Sequence, residues 1–302
     1  MRVVVALGGN ALLRRGERPD AEPQRQNVLR AVEALVPLAT GHELVITHGN
    51  GPQVGVLAIE SAADPSLTRP YPLDQLGAET QGLIGYWVCQ GLRNVLPGRQ
   101  VAAVITQCVV DAADPAFDRP TKFVGPTYVE AEARRVAAAQ GWVVAADGGS
   151  WRRVVASPQP RRIVEVETVR LLVEAGVVVV CAGGGGVPVV ETTAGAFEGV
   201  EAVIDKDLTA ALLAEALDAD ALLLLTDVDG VESDFGRPGS AIIRTATTAD
   251  LRARSFAPGS MGPKVEAACR FVERTGGLAA IGSLVDADGV VAGRSGTRVV
   301  AS

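Results

Sequence analysis

Lysine is nearly absent from this 302-residue chain. Of its 28 basic residues, 25 are arginine, and only Lys122, Lys206 and Lys264 are lysine. Histidine is scarcer still, with His42 and His48 alone. That leaves little material for a zinc site or a Ser-His-Asp triad. The four cysteines, Cys89, Cys108, Cys181 and Cys269, are scattered without a CxxC pair. Such spacing points to reduced thiols in a cytoplasmic protein. The formal net charge is −7 and no basic run is present, so nucleic acid is not an expected partner. The most apolar stretch, residues 177–190, is too short and too glycine-rich to span a bilayer. The opening "MRVVVALGGNALL" lacks a small-residue cleavage pattern and reads as a first strand, not a signal peptide. Also missing are a GxxxxGK[ST] loop, a GxGxxG after the first strand and the protein-kinase catalytic-loop signature. These absences argue against a P-loop protein, a dinucleotide dehydrogenase and a protein kinase.

Apolar residues make up 48% of the chain and charged residues 21%, enough to build a sizeable core. Continuous apolar runs at 2–7, 43–47, 101–106, 177–182, 221–226 and 278–283 alternate with helical stretches. The helices are expected at about 24–39, 74–92, 206–217 and from Lys264 onward, with Gly176 just past the end of another. Runs that are apolar throughout belong to a sheet covered on both faces, hence parallel strands joined by helical crossovers. Residues 111–165 break this rhythm with five prolines and an arginine-rich "WRRVV". They read as a small inserted subdomain with a helix at about 128–140 and a hairpin over 143–156. The final "GRSGTRVVAS" reads as a last edge strand or hairpin.

Four glycine-bearing loops follow strands: "GGNA" (8–11), "HGNGPQ" (48–53), "GGGG" (183–186) and "TDVDG" (226–230). Open α/β sheets bind ligands at the carboxyl ends of their strands, where glycine lets backbone N–H groups converge on an anion. Together the loops suggest a phosphate-handling cleft, although any one of them could be a plain tight turn.

The lysines sit in unusual places. Lys206 lies between Asp205 and Asp207 at an expected helix start, and Lys264 follows a Gly-Pro turn at another. The helix dipole disfavours a cation at both. Lys122 lies in a proline- and glycine-flanked loop of the insert. The plain alternative is three surface charges. Lysine suits a moving phosphoryl group because it is a compact charge on a flexible stem, whereas arginine is a rigid fork. An ammonium about 4 Å from a phosphoryl oxygen contributes roughly 4 kcal/mol at an effective dielectric of 20. Asp205 and Asp207 could orient these lysines or help hold Mg²⁺; the alternative for them is helix N-capping. His48 is the one histidine near the glycine loops, and a loop histidine bonded to backbone accounts for it.

The segments "VVALGGNALL", "THGNGPQVG", "DPAFDRPTKFVGPTY", "GVEAVIDKDLTAALLAEALDADALLLLTDVDGV" and "GSMGPKVEAACRFV" resemble the carbamate kinases of the amino acid kinase superfamily. The resemblance covers nearly the whole chain. It implies a three-layer αβα sandwich with a mainly parallel central sheet and a small inserted protruding subdomain, usually as a homodimer. It implies an acceptor-binding half over 1–200 and a nucleotide-binding half over 201–302. The implied reaction is ATP plus carbamate giving ADP plus carbamoyl phosphate, with Mg²⁺ carried by the nucleotide, often run toward ATP in arginine metabolism.

Carried over by motif, Lys206 and Lys264 would contact the nucleotide phosphates and the transferring group. Lys122 would reach over the acceptor, and Asp207 would orient the lysines. Gly8, Gly9, Asn10, Gly49, Asn50 and Gly51 would cradle the acceptor and the moving phosphoryl group. Asp205, Thr226, Asp227, Val228, Gly259, Ser260, Met261 and Gly262 would form the nucleotide site with Lys264. Phe123 stands where the family commonly has proline, and Glu232 where it commonly has tyrosine. A relative acting on another small acid, such as acetylglutamate, aspartate or glutamate, and a non-catalytic nucleotide-binding protein on the same fold remain open alternatives.

Overall fold

In the computed structural model, alternate residues of the central strands divide between two hydrophobic cores. Val4, Ala6, Val45, Leu222 and Leu224 belong to one. Val3, Val5, Leu7, Leu44, Ile46, Leu223 and Leu225 belong to the other. Neighbouring side chains on a strand point to opposite faces, so a strand apolar throughout must be covered twice. The structure describes residues 1–14, 17–233, 239–256 and 260–302, with the side chain of Asn10 left out.

The first part of the chain runs β1 (Arg2–Leu7), α1 (Ala21–Gly41), β2 (Glu43–His48), α2 (Gly51–Ala63), α3 (Leu73–Val95) and β3 (Val101–Ala103). Then come β4 (Gln107–Val109), β5 (Lys122–Tyr128), α4 (Glu130–Gln140), β6 (Val143–Asp147), β7 (Ser150–Val155), β8 (Arg162–Ile163), α5 (Val166–Glu174) and β9 (Val178–Val180). The rest is β10 (Val187–Glu191), β11 (Phe197–Gly199), α6 (Lys206–Ala216), β12 (Ala221–Thr226), β13 (Thr245–Thr247), α7 (Thr248–Arg252), α8 (Met261–Thr275), β14 (Leu278–Ser283), α9 (Ala287–Val291) and β15 (Thr297–Val300).

The main sheet has the order β13-β15-β14-β12-β1-β2-β9-β3. Its pairings are parallel except β14 with β15. Buried residues of α5, α6 and α8 cover one face, and those of α1, α3 and α9 cover the other. This is the three-layer αβα sandwich. A four-stranded sheet, β11-β10-β4-β8, adjoins it, and β5-β7-β6 form a third sheet that carries α4.

Several local expectations change. The run 101–106 is a strand only to Ala103. The Gln81 side chain accepts from Thr106 N–H and donates to Thr106 O, so it takes the place of a strand neighbour and turns the chain into the second sheet. The helix expected from 128 starts at Glu130, because Tyr128 still belongs to β5. The last strand, β15, is not at the edge; the three-residue β13 lies outside it.

Candidate active site

The parallel neighbours β12, β1 and β2 end side by side. Gly8 N–H donates to Leu225 O and Gly49 N–H to Leu7 O, which stitches the first two glycine loops onto these strand ends. A Cβ placed on Gly49 would stand 3.3 Å from Gly9 and 3.4 Å from the Lys206 side chain. The Lys206 stem therefore lies against the two loops. Gly8 abuts Thr226 at the end of β12, where the Thr226 hydroxyl donates to Asp227.

The third loop, 183–186, is fully buried and takes no part in an open cleft. Gly184 has φ +64°, and a Cβ there would fall 2.2 Å from Asn50 Nδ2. Glycine is needed so that the loop can lie beneath Asn50. The Asn50 amide in turn donates to Thr80 on α3. His48 is buried and donates from Nδ1 to Gly49 O. Burial drives its pKa down to about 4, against a raising contribution from the Gly49 bond and a further lowering from Lys206. It is a neutral, backbone-bonded residue.

The three lysines converge through two aspartates. Asp207, buried at the start of α6, accepts from Lys206 Nζ at 2.5 Å and from Lys264 Nζ at 3.0 Å. Asp205 accepts from Lys122 Nζ at 2.6 Å through one oxygen, and from the backbone N–H of Asp207 and Leu208 through the other. Asp205 is thus both the N-cap of α6 and the partner of the insert lysine. The cap supplies an anion where the helix dipole opposes Lys206.

Burial pushes the Lys206 ammonium down to about 8, with Lys264 adding to the fall and Asp207 and Asp205 resisting it. For Lys264 burial acts the same way, but Asp207 and Asp205 outweigh it and hold the pKa above the ordinary lysine range. Burial alone would raise the Asp207 pKa; Lys206 and Lys264 overcome that and keep the carboxylate ionised. Three ammoniums face two carboxylates, which leaves a net positive cluster at the sheet edge.

Ser260, Met261 and Gly262 open α8 and lead directly into Lys264. Val228 lies in the loop just past Thr226, the last residue of β12. Gly9, Asn10 and Ala11 form a 3₁₀ turn after β1, and Gly51 begins α2 after Asn50. Gly259 lies outside the described residues, as does the side chain of Asn10. Among the described residues, no three His, Cys, Asp or Glu side chains group as a metal site. Asp205 and Asp207 are already engaged by lysines, so these residues do not fit a protein-held divalent cation. Phe123 lies under the Arg152 guanidinium, which donates to Gly125 O and pairs with Asp147. Glu232 accepts from Ser240.

A mainly parallel αβα sandwich with a buried lysine–aspartate cluster at its carboxyl-terminal strand ends is a framework for handling anions at that edge. The chain belongs to the amino acid kinase family, which it matches over residues 1–283. Within the family, its full-length similarity is to carbamate kinases. The carbamate kinase of Rhizobium meliloti is 52% identical over 309 aligned positions, covering 100% of this chain and 94% of the relative. That of Haemophilus influenzae is 51% identical, covering 99% and 96%. A solved structure of carbamate kinase from Giardia lamblia bound to AMP-PNP superposes with a TM-score of 0.90 at 38% identity, covering 100% of this chain and 98% of that one.

Proposed function

We infer that this chain catalyses reversible phosphoryl transfer between ATP and carbamate, giving ADP and carbamoyl phosphate. Full-length relatives that are carbamate kinases support the reaction. Convergence of the three lysines on Asp205 and Asp207 is the single observation that carries the mechanism. A carbamate oxygen attacks the γ-phosphorus, and the bond from that phosphorus to the bridging oxygen of ADP breaks. Carbamate is already anionic, so no base has to remove a proton, which agrees with a neutral, buried His48.

In this reading Lys206 and Lys264 neutralise charge on the nucleotide phosphates and on the group in flight. Asp207 holds both ammoniums in position, and Lys122 comes over the acceptor side. Gly8, Gly9, Asn10, Gly49, Asn50 and Gly51 supply backbone N–H groups or side chains to the acceptor and phosphoryl group. Asp205, Thr226, Asp227, Val228, Ser260, Met261 and Gly262 border the nucleotide with Lys264. Positioned charge of this kind is the main catalytic resource for a loose phosphoryl transition state. Mg²⁺ enters with the nucleotide, bound by its phosphates. The scattered, buried thiols suit a cytoplasmic enzyme. The exposed Leu83 and Tyr86 on α3 suit a homodimer.

The test is ATP formation from ADP and carbamoyl phosphate, with acetylglutamate, aspartate and glutamate as alternative acceptors in the forward direction. Activity confined to the carbamate pair is expected. No transfer with that pair, or preference for another acid, would overturn the reading.

A further inference from the structure

The segment Glu201–Asp207 touches the inserted three-stranded sheet and then runs, without a break, into the lysine cluster. Arg153 on β7 donates from Nη2 to Glu201 Oε1 at 3.0 Å. The other Glu201 oxygen accepts from Leu73 N–H, the first residue of α3, at 2.8 Å. One residue on, Ala202 bridges to Ala156, and Val203 N–H donates to Ala156 O at 2.9 Å. Val203 also joins an apolar cluster with Val124 and Val155 of the insert and Val54, Leu73 and Leu76 of the main body. Asp205 then takes Lys122, and Lys206 and Asp207 follow.

Glu201, Ala202, Val203 and Asp205 thus fasten the insert that bears Lys122 to the backbone that bears Lys206. The Arg153 guanidinium lies over the Trp142 ring, 4.4 Å from its centroid, so a second contact holds the insert end of this tie. Glu201 is 54% exposed although Arg153 is only 13% exposed, and a pair whose carboxylate is open to solvent adds little to stability.

We propose that Glu201 and Arg153 are positioning residues for phosphoryl transfer. Their contact sets the height of the insert over the strand ends and so delivers Lys122 to the acceptor side while Lys206 serves the nucleotide side. This rests on the reading of Lys122 as a catalytic residue. A displacement of about 1 Å in a group that must meet a transition state is enough to lower turnover by one to two powers of ten.

The experiment is a double-mutant cycle between Glu201→Gln and Lys122→Ala, with Arg153→Met as a second entry to the same contact. With its one amide oxygen kept on Leu73 N–H, Glu201→Gln turns its NH2 toward Arg153 and so removes both the charge and the acceptor that Arg153 meets. Turnover and the KM for ADP are measured with carbamoyl phosphate, together with the melting temperature. Glu201→Gln and Arg153→Met are expected to lower kcat about three- to tenfold with the KM for ADP unchanged. In the Lys122→Ala background neither should lower it further, because the group they position is gone. A purely structural contact would instead lower both backgrounds equally and follow the melting temperature. Equal, additive losses or no loss of kcat would overturn the proposal while leaving the Lys122 reading intact. Unchanged turnover in Lys122→Ala alone would overturn that reading, and this proposal with it.

Discussion

Lys206 carries the largest burden in a small space. Its ammonium is buried, beside Lys264, and its stem lies along the Gly9 and Gly49 loops. Replacing it with alanine leaves Asp207 paired with Lys264, so the fold should survive while turnover falls roughly 10²- to 10³-fold. Lys264→Ala should weaken ADP binding as well as turnover; equal ADP affinity by calorimetry would remove it from the nucleotide site. The depressed Lys206 pKa has a consequence for pH. As pH rises through about 8, the free enzyme loses this proton and with it a charge that phosphates need. kcat/KM should fall over that range, whereas the limb in kcat should lie at higher pH because bound phosphates favour the protonated form. A kcat/KM profile flat to pH 10 would count against a titrating Lys206. Asp207→Asn should do more harm than either lysine change. It strands two buried ammoniums, a loss of about 3–5 kcal/mol in folding stability, which denaturant titration would measure. Phe123 shows how a departure from a family pattern can be absorbed: its ring carries Arg152, which anchors Gly125.

At the scale of elements, the insert meets α2 backbone to backbone at Gly55. A Cβ added to Gly55 would lie 2.1 Å from Gly125 Cα, so helix and strand meet only because Gly55 has no side chain there. Gly125 lies three residues beyond Lys122 on β5. Gly55→Ala must lift the strand, and the expected result is a loss of turnover of about tenfold or more with ADP affinity preserved. Wild-type kinetics in that variant would show that the insert can shift without moving Lys122 functionally. The starts of α6 and α8 illustrate a different economy. Each presents a lysine at a helix end that repels it, and Asp207 in the first turn of α6 offsets both. These contradictions of local preference marked the site in the sequence. The contact of Gly55 with Gly125 left no such trace, because an isolated glycine inside an apolar helical stretch reads as a tolerated weakness.

Across the whole molecule, the buried groups set how stability follows pH. His48 has a folded pKa of about 4 against an ordinary value of 6.5. The unfolded chain therefore binds this proton first as pH falls, and stability is lost between about pH 6.5 and 4. The full loss from this residue is about 3 kcal/mol. Protonation of Asp207 at lower pH works in the same sense. Denaturant titrations at pH 7, 5 and 4 should show the decline, and His48→Asn should flatten its part of it. An identical slope in that variant would mean His48 titrates normally. No helix among the described residues is long and apolar enough to cross a membrane. Tyr86 borders a cavity of about 360 Å³ with Cys89, Arg93 and Ala103 on the α3 face. If a second copy covers this face, Tyr86→Glu should shift the mass seen by light scattering toward the monomer.

The parallel, doubly covered sheet was written in the chain itself. Strand runs 2–7, 221–226 and 278–283 coincide with the observed elements, because a strand apolar on both faces has few other places to go. The scarcity of lysine and its placement at disfavoured helix ends were equally legible. What periodicity could not decide was which charges meet. Lys122 finds Asp205 across 83 positions and Lys264 finds Asp207 across 57. Those pairings depend on the order of strands in the sheet and on the docking of the insert. The buried fate of the 183–186 glycines, the break at Ala103 and the interior position of β15 depend on the same contacts. Local propensity reaches only a few residues along the chain, whereas packing selects partners among segments that only the folded sheet brings together.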